Sequence, residues 1–99
     1  METMKAIQIQ KNGGPEVMNL AELPVPEAAA GQAVVKVEAA GVNFIDVYQR
    51  NGLYPVQLPY VLGLEGSGTV SRIGSGVDAL AVGDRVAWTG GPGTYAQYV

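Results

Sequence analysis

Five side chains in the middle of the chain have the types from which a polar site is built: Asn43, Asp46, Tyr48, Tyr54 and Glu65. Their neighbours are apolar, so together they could line a pocket that fixes a ligand through a few polar groups. The chemistry open to them is narrow. The chain has no Cys and no His, which removes thiolate nucleophiles, disulfides, the usual general base and the commonest metal ligands. A zinc site is not expected. Each residue also has a plain structural reading: Asn43 and Asp46 cap a helix, Tyr48 packs in a core, and Glu65 pairs with an arginine. Residue types and spacing alone favour that structural reading.

Helical spacing occurs in one place, from Asn43 to Asn51. Asn43 suits an N-cap, Asp46 suits the first turn, and Gly52 is a natural C′ stop. Phe44, Val47 and Tyr48 then fall on one face, and Asp46 with Arg50 on another. The rest reads as strands and turns. Met4 to Lys11 alternates around Ile7 and Ile9, Asn12 to Pro15 turns, and Val17 to Leu23 pairs back. Ala33 to Ala40 is a strand with Val35, Val37 and Ala39 on one face and Lys36 and Glu38 on the other. Tyr54-Pro55 and Pro59-Tyr60 force extended backbone. Gly63 to Val86 gives two further strands joined by glycine turns, with Glu65 at their head among Gly63, Gly66 and Gly68. Gly66 and Gly68 fit tight strand packing, and Trp88 fits a core. Tyr95 to Val99 reads as one more strand.

Gly74-Ser-Gly-Val-Asp-Ala79 matches a dinucleotide fingerprint in letters. That fingerprint works only where a helix begins, so that its first amides meet a pyrophosphate. Here Gly83 and Asp84 interrupt within a few residues, and no acid stands about twenty residues on to hold a ribose. It is expected to be a turn.

At 99 residues the chain is read as one domain with a modest core. Apolar residues make up 47% and charged residues 15%, a balance that argues against disorder. Fourteen glycines and six prolines between short apolar runs point to a β-rich fold. A net charge of −3 with scattered basic residues argues against nucleic acid. Without a signal peptide or a long apolar run, a soluble, cytoplasmic protein is expected, with no membrane partner.

Four blocks then carry a resemblance: Gly13-Gly-Pro-Glu-Val17, Ala39 to Pro55, Gly63-Leu-Glu-Gly-Ser-Gly68 and Gly83-Asp-Arg-Val86. In this order they resemble the N-terminal region of the quinone oxidoreductases of the medium-chain dehydrogenase/reductase superfamily. The resemblance implies a mainly β fold, a GroES-like, partly open β-barrel with one short helix, here truncated. It implies that residues 1–99 are the substrate-side domain, and that a Rossmann domain binding NADPH is missing from this chain. The zinc alcohol dehydrogenases of that superfamily have a Cys at the Asn43 position and a His at the Leu64 position. With only Glu65 retained, this chain resembles the zinc-free branch, which reduces quinones or conjugated carbonyls with NADPH.

On that footing Asn43, Phe44, Ile45, Asp46 and Tyr48 are expected to face the cofactor's nicotinamide end. Asp46 and Tyr54 are expected to be catalytic, and no residue binds metal. Positioning and hydrogen-bond donors would then do the catalytic work. The chain alone is expected to be inactive. Two other readings stand beside this one: a zinc-free enone or enoyl reductase, and a free-standing GroES-like module that binds a partner. Unpaired strand edges lead us to expect a homo-oligomer.

Overall fold

The computed structural model describes residues 2–99. β1 (Thr3–Ile9) runs through a loop and a single 3-10 turn (Pro15–Val17) into β2 (Met18–Pro24). The two strands pair antiparallel over their whole length, from Thr3 opposite Pro24 to Ile9 opposite Met18. β3 (Ala33–Ala40) leads to the helix α1 (Phe44–Asn51), and then the short β4 (Tyr60–Val61) pairs with the end of β1. β5 (Glu65–Ile73) and β6 (Arg85–Thr89) form the expected antiparallel pair, with β5 also paired to β3. The sheets are ordered β2-β1-β4 and β3-β5-β6.

Residues 95–99 join them. Ile7 N–H donates to the Tyr95 carbonyl at 2.8 Å, and Gln97 N–H donates to Lys5 at 3.0 Å. On the other side Val35 and Val99 exchange two bonds, and Val37 N–H donates to Gln97 at 2.8 Å. The strand expected at Tyr95–Val99 is thus a pair of isolated bridges, Ala6 to Ala96 and Lys36 to Tyr98. It is a seam that alternates between two neighbours, closing one continuous wall from β2 to β6. Among the described residues nothing pairs with the outer edges of β2 and β6, so the barrel is partly open.

Two sequence expectations need correction. In β3, Val34 and Val35 are both buried while Ala39 is exposed. The register slips between Val34 and Val35 and again between Val37 and Ala39, and a bulge of that kind breaks the two-residue alternation. Trp88 is half-buried against Gly66 rather than enclosed in the core.

The main apolar cluster is Ile9, Val17 and Leu62, flanked by Met18, Leu58, Tyr60 and Tyr95. Burying a side chain of this size stabilises by about 1.5–3 kcal/mol. The cluster ties the first hairpin to β4 and to the seam. The run at Gly74–Ala79 forms a turn and no helix begins there, as its sequence requires.

Candidate functional site

The site is built on α1, so what holds that helix comes first. Asn43 is its N-cap, with extended backbone, and Gly52 ends it in the left-handed region at φ 92°. Only glycine takes that conformation without strain. A helix of eight residues leaves half its backbone groups without internal partners. At the C-terminal end the β1–β2 loop supplies them. Gly13 N–H donates to the Arg50 carbonyl at 3.0 Å, and the Asn12 side-chain amide donates to the carbonyls of Gln49 and Arg50. The Arg50 side chain returns a bond to the Gly13 carbonyl at 3.2 Å.

At the N-terminal end the Asp46 carboxylate does the equivalent work. Its Oδ2 accepts from the Asn43 N–H at 3.0 Å and from the Tyr95 hydroxyl at 2.7 Å. Asp46 is only 3% exposed, and its other oxygen, Oδ1, is buried without a partner. Burial pushes the Tyr95 phenol well above its ordinary value; the hydrogen bond to Asp46 and that carboxylate's charge add to the effect. Tyr95 therefore stays a donor. Tyr60 is shifted in the same direction, chiefly by burial.

Of the two helix faces that the spacing separates, the one with Asp46 turns inward. Asp46 points in, and Phe44 stands 81% exposed. Val42 (80%), Leu53 and Tyr54 (47%) are exposed as well. Val42, Asn43, Phe44 and Val47 line a cleft of about 330 Å³ at the start of the helix. Tyr48 and Tyr54 meet edge to face, with ring centres 5.3 Å apart, and the Tyr54 N–H donates to the Tyr48 carbonyl at 3.0 Å.

The sequence cluster is therefore partly assembled. Asn43 joins Asp46, and Tyr48 joins Tyr54. Glu65 stands apart: its side chain lies over Gly41, in a separate cleft with Ala39, Ala40 and Trp88. The arginine partner that the structural reading gave Glu65 is not found among the described residues, where the one ion pair joins Arg72 to Glu2. No three acidic side chains among the described residues converge as a metal site would require. Tyr95 was missed by sequence reasoning. It lies 49 residues from Asp46, and its Tyr-Ala-Gln-Tyr setting carries no periodic signal.

These surfaces have a definite chemical fit. An apolar face around an amide-bearing N-cap suits a flat, weakly polar ring. It does not suit phosphates, which need converging amides or cations, and the Gly74 turn offers no helix to supply them.

A wall of two small sheets sewn together by a C-terminal seam, with one short helix, is the architecture of a known domain class. Residues 29–99 match the alcohol dehydrogenase GroES-like domain, and the chain belongs to that family. Within it the chain is 47% identical over 83 residues to a quinone oxidoreductase of Salmonella typhimurium, covering 83% of this chain and 25% of the relative. A quinone oxidoreductase of Pseudomonas aeruginosa is 45% identical over 95 residues, covering 94% of this chain and 29% of the relative. The crystal structure of Escherichia coli quinone oxidoreductase complexed with NADPH superposes with a TM-score of 0.92 at 41% identity. It covers 99% of this chain and 30% of that one. The chain thus spans about a quarter to a third of the length of these relatives.

Proposed function

We propose that this chain is the substrate-side domain of an NADPH-dependent quinone oxidoreductase, in which a hydride passes from NADPH to a quinone or a related conjugated carbonyl. The observation that carries the reading is the outward-facing apolar surface at the start of α1, with Phe44 81% exposed. A helix in a finished interior would bury that ring. Similarity to an oxidoreductase solved with NADPH supports the same reading.

NADPH supplies the hydride. In this proposal Asn43, Phe44, Ile45 and Tyr48 hold the nicotinamide end, through one side-chain amide and apolar contact. Tyr54, exposed at its edge and braced by Tyr48, offers its hydroxyl to the substrate carbonyl. Asp46 serves from beneath, its carboxylate accepting from the Asn43 backbone N–H, so its contribution is positioning. The pyrophosphate must be held elsewhere, because this chain has no helix N-terminus after Gly74 to receive it.

Two measurements test this. The 99-residue chain alone should bind NADPH at about millimolar or weaker and reduce no quinone. In the complete enzyme, Asn43→Ala and Tyr48→Ala should each lower kcat/KM roughly tenfold, about 1.4 kcal/mol of transition-state stabilisation. Micromolar binding by the chain alone, or wild-type kinetics in both variants, would refute the proposal.

A further inference from the structure

The α1 surface is small and sits on a helix too short to be stable by itself. Its geometry must come from its anchors. At the C-terminal end there are several, all from the Asn12–Gly13 loop. At the functional end, among the described residues, the one side chain from outside the helix that bonds Asp46 is Tyr95. Tyr95 is itself held by its backbone: its N–H donates to the Leu62 carbonyl at 2.9 Å, and its carbonyl accepts from Ile7 at 2.8 Å. A chain of bonds therefore runs from Ile7 of β1 and from Leu62 through Tyr95 and its hydroxyl to Asp46 Oδ2, and on to the Asn43 backbone N–H.

Only one of the two Asp46 oxygens is partnered. A buried carboxylate in that state depends heavily on each bond it has. Without the hydroxyl, Oδ2 would keep a single amide bond, and the first turn of α1 would lose its fixed point.

We propose that Tyr95 is a positioning residue for the reaction: its hydroxyl fixes Asp46, and through it the Asn43–Tyr48 surface, against the barrel wall. The inference rests on the reading of that surface as the nicotinamide-facing side. It makes Tyr95 act on ring orientation more than on cofactor affinity, because affinity comes mainly from phosphate and ribose contacts outside this surface.

The test uses the complete enzyme. Tyr95→Phe keeps the ring and removes only the hydroxyl. Amide hydrogen exchange at Asn43 and Asp46 should rise in the ligand-free variant. kcat should fall about three- to tenfold, with KM for NADPH changing less than about twofold. The primary isotope effect with NADPH deuterated at the transferred position should grow, because a misplaced ring slows the hydride step itself. A loss of folded enzyme alone lowers the apparent rate and leaves that isotope effect where it was.

In an Asp46→Ala background the hydroxyl has nothing to hold, so adding Tyr95→Phe should cost less than about twofold more. Should Tyr95→Phe fail to fold, Asp46→Asn, a neutral acceptor of the same shape, should show the same changes to a smaller degree. Unchanged exchange at Asn43 and Asp46 would overturn the proposal, as would wild-type kcat and isotope effect. Tyr48→Ala separates the causes. If it slows the enzyme while Tyr95→Phe does not, the role of Tyr95 alone has failed; if neither does, the surface has been misread.

Discussion

Asp46 is an unexpected residue to bury on a helix whose Phe44 faces outward. Removing a carboxylate from water is costly unless hydrogen bonds replace the lost hydration. Two do so, from Asn43 and Tyr95. The same contact shapes the alkaline behaviour of the molecule. Tyr95 in the folded chain holds its proton above the ordinary phenol value, first through burial and then through Asp46. An unfolded chain releases that proton near pH 10. Above that point the unfolded state binds fewer protons than the folded one, so stability falls as pH rises. The contribution is fully present below about pH 10 and is lost toward the folded-state value. Urea-unfolding midpoints followed from about pH 8 to pH 11 should decline in the wild type and decline less in Tyr95→Phe. Tyr60, also raised by burial, keeps some slope in the variant. Equal slopes in both proteins would refute the assignment.

The pairing of β3 with β5 depends on a close approach that one methyl group would break. A Cβ at Gly68 would collide with the Lys36 carbonyl oxygen and crowd Val35. The obstacle is backbone, so Gly68→Ala should force the ladder apart at a cost of about 1–3 kcal/mol. At Gly41 the obstacle is the Glu65 side chain, which can swing away. Gly41→Ala should therefore cost less than about 1 kcal/mol. Urea denaturation of the two variants would give the ranking, and the reverse order would contradict this account.

The elements themselves were largely legible in the sequence. Asn43, Asp46 and Gly52 mark the helix ends by local chemistry, and the β1–β2 and β5–β6 pairs follow from apolar runs split by turns. What was hidden depends on distant partners. Periodicity separates Asp46 from Phe44 but does not say which of them faces inward, and the side chain that bonds the inward Asp46, Tyr95, stands far along the chain. The bulge at Val34–Val35 leaves no mark on composition. Tyr48 and Tyr54 could be grouped, but Glu65 is set apart by the β3–β5 pairing, which places it beside Gly41, whose N–H donates to the Glu65 carbonyl.

Taken whole, the molecule is two small sheets whose backbone ladders meet through residues 95–99. The seam contributes backbone bonds to β1 on one side and to β3 on the other. A chain ending at Thr94 should retain the β1–β2 and β3–β5–β6 pairings yet lose the single cooperative transition, with each sheet melting separately. Hydrogen exchange and near-ultraviolet circular dichroism through a thermal ramp would show this. One sharp transition at the wild-type midpoint would count against it.

That arrangement also sets an order of events on the ribosome. β1 is made about ninety residues ahead of its partner in the seam, as the Lys5–Gln97 bond shows. At roughly 5–20 residues per second, β1 waits on the order of 5–20 s, its first edge paired by β2 and the other covered by β4 only at Gln8 and Ile9. The nascent chain thus carries a partly unsealed strand until residues 95–99 emerge. A chaperone that shields extended backbone would find its target at Thr3–Ile9, and would have to release it when Tyr95–Val99 arrives.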